Sequence, residues 1–204
     1  MPRLSESSKI ERRERIIAAA RRCFLDKGFS NTSMADIVAE SGMSPGSIYS
    51  HFDGKASIMR GTAEHIFGAT LKDLTDMETA TGSSLAPSDV ARLLIETLFS
   101  IDFGPLLIQF VAESTVNPEV HEVAQENINL ARTRLAEVLR PWSEMQVSHG
   151  ADPDDVVGDP SRLANVLMLL FHGLLIRTAV DTHADRDQLV EDALTLIPQG
   201  RFGQ

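Results

Sequence analysis

The chain has 204 residues, 43% of them hydrophobic, enough apolar material to bury one or two compact cores. Nineteen Lys and Arg against 29 Asp and Glu leave a formal charge of −10, which taken whole argues against a polyanionic partner. The polar opening MPRLSESSKIERRERII excludes a secretory signal, no apolar run reaches the ~20 residues of a bilayer span, and a single cysteine, Cys23, excludes an internal disulfide or a cysteine metal cage. A cytoplasmic protein is therefore expected.

The charge is unevenly spread. Residues 1–60 hold ten Lys and Arg against seven Asp and Glu, while residues 61–204 hold nine against twenty-two. Only the N-terminal quarter suits phosphate, unless the asymmetry is ordinary surface variation. Apolar spacing is helical almost throughout, and no strand is read. Ile16, Ala20, Cys23 and Phe24 share one face of a helix over about 9–27, stopped by Gly28. Ser33 opens a Ser-x-x-Asp box with Asp36, predicting a short second helix that ends near Ser41-Gly42.

Ser44 then offers an N-cap and Pro45 a first helical residue, so SPGSIYSHF reads as a third short helix. Ile48 and Phe52 lie four apart and face inward, leaving Gly46, Ser47, Ser50 and His51 outside. Two short helices across a tight glycine turn make a helix-turn-helix, whose second helix enters the major groove and whose serine hydroxyls can meet base edges or phosphates. Tyr49 has a second reading as core, and His51 as a solvated residue at a helix end.

The run Phe24-(x3)-Gly28-Phe29, Thr32-Ser33-(x3)-Ile37, Ser44-Pro45-Gly46-Ser47-Ile48-Tyr49-Ser50-His51-Phe52-(x2)-Lys55 resembles the TetR family of transcriptional regulators over about residues 10–60. The resemblance implies an all-α two-fold dimer of about nine helices, with a DNA-binding domain at 1–55 and an effector-binding and dimerisation domain at 56–204. It further implies phosphate contacts from Thr32, Ser44, Tyr49 and Lys55, and base edges near Gly46, Ser47, Ser50 and His51. With the capping Ser33 and Pro45, these are the candidate DNA contacts. Two departures stand out: Pro45 replaces a frequent lysine, and Gly54 replaces a hydroxyl residue that often caps the next helix.

From Lys55 a long helix runs through Ala63, Ile66, Phe67, Thr70, Leu74 and Met77 to a break around 79–87. Val90, Leu93, Leu94, Thr97, Leu98 and Ile101 mark another helix. A further helix follows Gly104-Pro105, and one over about 118–139 is capped by Asn117 and ended or kinked by Pro141. Residues 163–176, LANVLMLLFHGLLI, are apolar nearly all round yet only fourteen long, too short for a bilayer. Either a second subunit covers them, through helices at about 160–182 and 185–198, or they form the central helix of a monomer.

Catalytic and metal patterns fail. His121-Glu122 lacks the second histidine of a zinc protease, no Glu-x-x-His pair exists, and Asp152, Asp154 and Asp155 miss the calcium-loop register. Neither an enzyme nor a bound metal or cofactor is expected. The expected function is a DNA-binding regulator, a repressor released from a palindromic operator by a small molecule. The alternative is a helical small-molecule binder without DNA binding. Pocket candidates are the residues that interrupt apolar stripes, Phe99, Phe103, Gln109, Phe110, Glu113, Asn127, Trp142 and His172; core packing or solvation is the competing role of each.

Overall fold

The computed structural model describes residues 6–81, 84–99, 103–181 and 183–198, and all regular structure among them is helical. The helices are α1 (Glu6–Lys27), α2 (Met34–Ser41), α3 (Pro45–Tyr49), α4 (Lys55–Thr81), α5 (Pro87–Leu98), α6 (Phe103–Ser114), α7 (Pro118–Ser148), α8 (Pro160–Val180) and α9 (Arg186–Thr195). Side chains 66, 67, 70, 71, 75, 78, 80, 81 and 103 lie outside the description, which takes in the expected stripe residues Ile66, Phe67 and Thr70. Ile101 is outside it altogether.

The chain divides into two compact units, residues 1–66 with 105–127, and residues 67–104 with 128–204. The sequence division at 55/56 is one of proposed roles. Division by packing differs, because α6 and the start of α7 join the first unit's core. There Leu106, Phe110, Val120 and Val123 are buried with Ile16, Phe24, Phe29, Ile37, Ile48, Phe52 and Ile58. Phe24 and Phe29 pack ring on ring at 5.2 Å. Cys23 lines this core at 7% exposure, and its thiol is pushed up first by burial, then by the negative charges of Glu40 and Asp36.

Helix starts follow local chemistry. Asn117 Oδ1 accepts the Glu119 amide at 3.1 Å, Asp159 caps α8 and Asp185 caps α9. Pro141 does not end α7. The ring forfeits one backbone bond, but Leu139 and Trp142 beside it are 0% and 2% exposed, and their packing carries the helix on to Ser148.

In the second unit α5, α8 and α9 pack together, and Leu163, Ala164, Leu167, Leu174 and Leu175 are the buried residues of α8. This helix is 21 residues long, with a mean hydropathy of 1.8 over its most apolar 18-residue window, so by length and composition it could cross a membrane. The helix matches the expected span of about 160–182; it outruns the fourteen-residue apolar segment because Pro160, Ser161, Arg162, Arg177 and Thr178 continue it on either side. Leu169, Ile176 and Val180 are 72%, 51% and 78% exposed, an apolar face left outside.

Candidate nucleic-acid interface

The helix-turn-helix is built from caps. Ser33 Oγ accepts the Asp36 amide at 3.1 Å, and Asp36 Oδ2 accepts the Ser33 amide at 2.8 Å. Hydrogen bonds from Lys27 and Ser33 hold the Asp36 carboxyl well below the usual carboxylate range. Gly42, at φ 65°, closes α2 in the left-handed region that an L side chain rarely adopts. Ser44 Oγ accepts the Ser47 amide at 3.3 Å to start α3, with Pro45 next.

Ile48 at 0% and Phe52 at 3% exposure pin α3 from beneath. Arg13 lies 4.4 Å above the Phe52 ring and pairs with Glu64 at 3.2 Å. Ser44, Pro45, Gly46, Tyr49 and Ser50 are exposed together on the outer surface, with His51 half-buried at the end. Tyr49 is 52% exposed, so it does not close the core. At Gly54 the reciprocal half of a capping box remains: its amide donates to Ser57 Oγ at 3.2 Å.

Three expected contacts sit differently. Thr32 is 1% exposed and donates its hydroxyl to the Cys23 and Gly28 carbonyls at 3.1 and 2.8 Å, sealing the end of α1, so its hydroxyl is engaged inside the protein. The Ser47 hydroxyl oxygen is buried and unpartnered, while Ser50 donates to the Ser47 carbonyl at 2.7 Å from an exposed position. Lys55 Nζ donates to the Phe29 carbonyl at 2.8 Å and the Ser30 carbonyl at 3.3 Å, and lies 4.8 Å from the Phe29 ring centroid. It is a strut as well as a positive charge, with one of its three donors left. Much of the local basic charge is likewise engaged, in Arg22–Glu40 at 2.6 Å, Lys27–Asp36 at 2.6 Å and Arg60–Glu126 at 2.8 Å.

The expected pocket residues scatter. Gln109, Phe110 and Glu113 belong to the first unit, because α6 turns its polar edge to the α1–α2 turn: Gln109 Oε1 accepts the Phe29 amide at 3.2 Å and Glu113 accepts from the Ser30 hydroxyl. Phe110 is buried in that core at 5% exposure. Asn127 ends the same unit with a buried, unpartnered Nδ2. Phe99 caps α5 under Arg186, whose guanidinium is 4.9 Å from the ring centroid. The His172 ring meets Phe171 edge-on, and burial lowers its basicity. The Phe103 side chain lies outside the described residues.

Trp142 is 2% exposed with an unpartnered Nε1, beside Ser143 and Gln146, two buried residues whose Oγ and Nε2 are likewise unpartnered and which sequence reasoning missed. The signal was available: both continue the stripe begun by Leu135 and Leu139, where apolar residues are due.

Residues 16–61 match the family model described as bacterial regulatory proteins, tetR family. An uncharacterised HTH-type transcriptional regulator of Bacillus subtilis, YerO, is 24% identical over 170 residues, covering 81% of this chain. The chain spans just over half of that relative, 56% of its length. The HTH-type transcriptional regulator CymR of Pseudomonas putida is 22% identical over 202 residues, covering 96% of this chain and 93% of its own. A solved structure from Syntrophomonas wolfei, ascribed to a TetR-family regulator, superposes with a TM-score of 0.75 at 17% identity over 91% of this chain and 92% of that one, a likeness of fold.

Proposed function

We propose, from the match of residues 16–61 to the model of the tetR family of bacterial regulatory proteins, that this chain is a cytoplasmic repressor of that family, released from a palindromic operator by a small molecule. The observation that carries this reading is the bare outer surface of α3. Ser44, Pro45, Gly46, Tyr49 and Ser50 stand exposed on a helix pinned by Ile48 and Phe52. Small residues let the backbone approach a groove, and the serine and tyrosine hydroxyls supply hydrogen bonds. Ser33 and His51 flank this surface, and the free donor of Lys55 reaches the backbone of the duplex.

Two copies are needed to read two half-sites, and the exposed apolar face of α8, with α9 beside it, is the proposed join. Gln109 and Glu113 supply the regulatory link, since they tie α6 to the turn that starts the helix-turn-helix. An effector that favours one placement of α6 shifts the equilibrium by its differential affinity for the two states. Nothing in this scheme calls for turnover.

The test is a mobility shift with inverted-repeat duplexes from the DNA upstream of the coding region, at two salt concentrations and with candidate metabolites. Retardation that weakens with salt and is reversed by a metabolite is expected. A chain that binds metabolites but no duplex at low salt is instead a small-molecule carrier.

A further inference from the structure

We propose that the last turns of α7 carry the polar recognition group of the effector site, formed by Trp142 Nε1, Ser143 Oγ and Gln146 Nε2. It takes an uncharged molecule that presents a carbonyl or ether oxygen on an apolar body. This rests on the reading that the chain binds a small effector, and it names the chemistry of that effector.

The buried stripe of α7 begins with Leu135 at 2%, Ala136 at 5% and Leu139 at 0% exposure. Three and four residues on, the same face remains as deeply buried at Trp142, Ser143 and Gln146, at 2%, 0% and 5%. Only the polarity changes. A helix packed for stability alone carries apolar residues at these positions. Here each polar atom is buried without a hydrogen-bond partner, a net cost to folding unless something else meets it. One such orphan is a local accident; three within five residues on one face define a place where a partner belongs.

The donors specify that partner. The indole nitrogen and the amide nitrogen only donate, and the hydroxyl does either, so the ligand supplies acceptors. The charged residues of these turns, Arg140 and Glu144, are exposed, so neither stands among the three donors to pair a buried charge. An uncharged oxygen acceptor fits, with Leu139 and the indole ring against its hydrocarbon part.

Trp142 is the chain's only tryptophan, so its emission reports on this site alone. The full chain is titrated with acetophenone and benzophenone, with ethylbenzene and diphenylmethane as the same shapes lacking the oxygen, and with the 1-phenylethylammonium cation. A saturable change in emission is expected, with at least one ketone bound about tenfold more tightly than its hydrocarbon and than the cation. Gln146→Leu and Ser143→Ala should remove that preference while raising the melting temperature of the free protein, because each deletes an orphaned donor. Equal binding of ketone and hydrocarbon, no saturable change with either ketone, or a lower melting temperature in both variants would show that ordered water or packing satisfies these groups, and would overturn the proposal. The two readings fail separately. A ketone that binds as stated but never releases DNA leaves the site standing and removes effector release. A metabolite that releases DNA without altering Trp142 emission or responding to Gln146→Leu does the reverse.

Discussion

Helices α3 and α8 both present an outward surface, with opposite chemistry. α3 has five residues, far too few to be helical alone, and exists because Ser44 caps it, Pro45 fixes its first turn and Ile48 and Phe52 are buried under it. Its outer surface is small and wettable, so it can stand bare between encounters. α8 has 21 residues and shows Leu169, Ile176 and Val180 to solvent, a face that costs free energy until it is covered. A wettable surface suits a partner that comes and goes, and an apolar one suits a partner that stays.

The largest effect expected on the α3 side is from Phe52→Ala. Removing a ring at 3% exposure that underlies Arg13 should cost about 3–5 kcal/mol and abolish duplex binding with it. Chemical denaturation followed by a mobility shift measures both. If duplex binding survives at full strength, α3 does not depend on its anchors.

On the α8 side, Leu169→Glu with Ile176→Glu should leave the fold intact and weaken self-association by about 2 kcal/mol or more, read as halved mass in sedimentation. An unchanged mass would move the join elsewhere. Lys55→Ala sharpens the comparison. It should lower the salt slope of binding by about one for every duplex, and also cost about 1.5 kcal/mol of stability, because the lysine holds the Phe29 and Ser30 carbonyls. A stability loss with no change in slope would make it a strut only.

The smallest effect is at the α2 cap. Ser33→Ala should cost about 1 kcal/mol in a denaturation midpoint. The Asp36 carboxyl is held below its ordinary value of 3.8, so its contribution is fully present above that pH and drains away as pH falls towards the folded value. Stability of the native chain should therefore fall more steeply below pH 3.8 than that of Asp36→Asn. Parallel acid limbs would remove Asp36 from the account.

What was legible in the sequence was chemistry confined to a few neighbouring residues. The Ser33–Asp36 box, the Ser44 cap and the inward pair Ile48 and Phe52 all depend on spacings of three or four. What was not legible depended on distant partners. Periodicity marks Phe110 as buried but cannot say in which core, and it cannot show that Gln109 and Glu113, expected as pocket residues, bind the α1–α2 turn. Thr32 reads as a surface hydroxyl until the Cys23 carbonyl arrives nine residues back. Pro141 reads as a stop or a kink, and the choice rests on the burial of Leu139 and Trp142, a tertiary fact.

The shielded Cys23 has a practical corollary. Its thiol resists ionisation, and the thiolate is the form that alkylating reagents attack. A cysteine introduced at the exposed Tyr49 position would thus be labelled in preference to the native one, giving one probe per chain. Paired spin labels there would turn the spacing between the two α3 helices of the proposed dimer into a ruler reading.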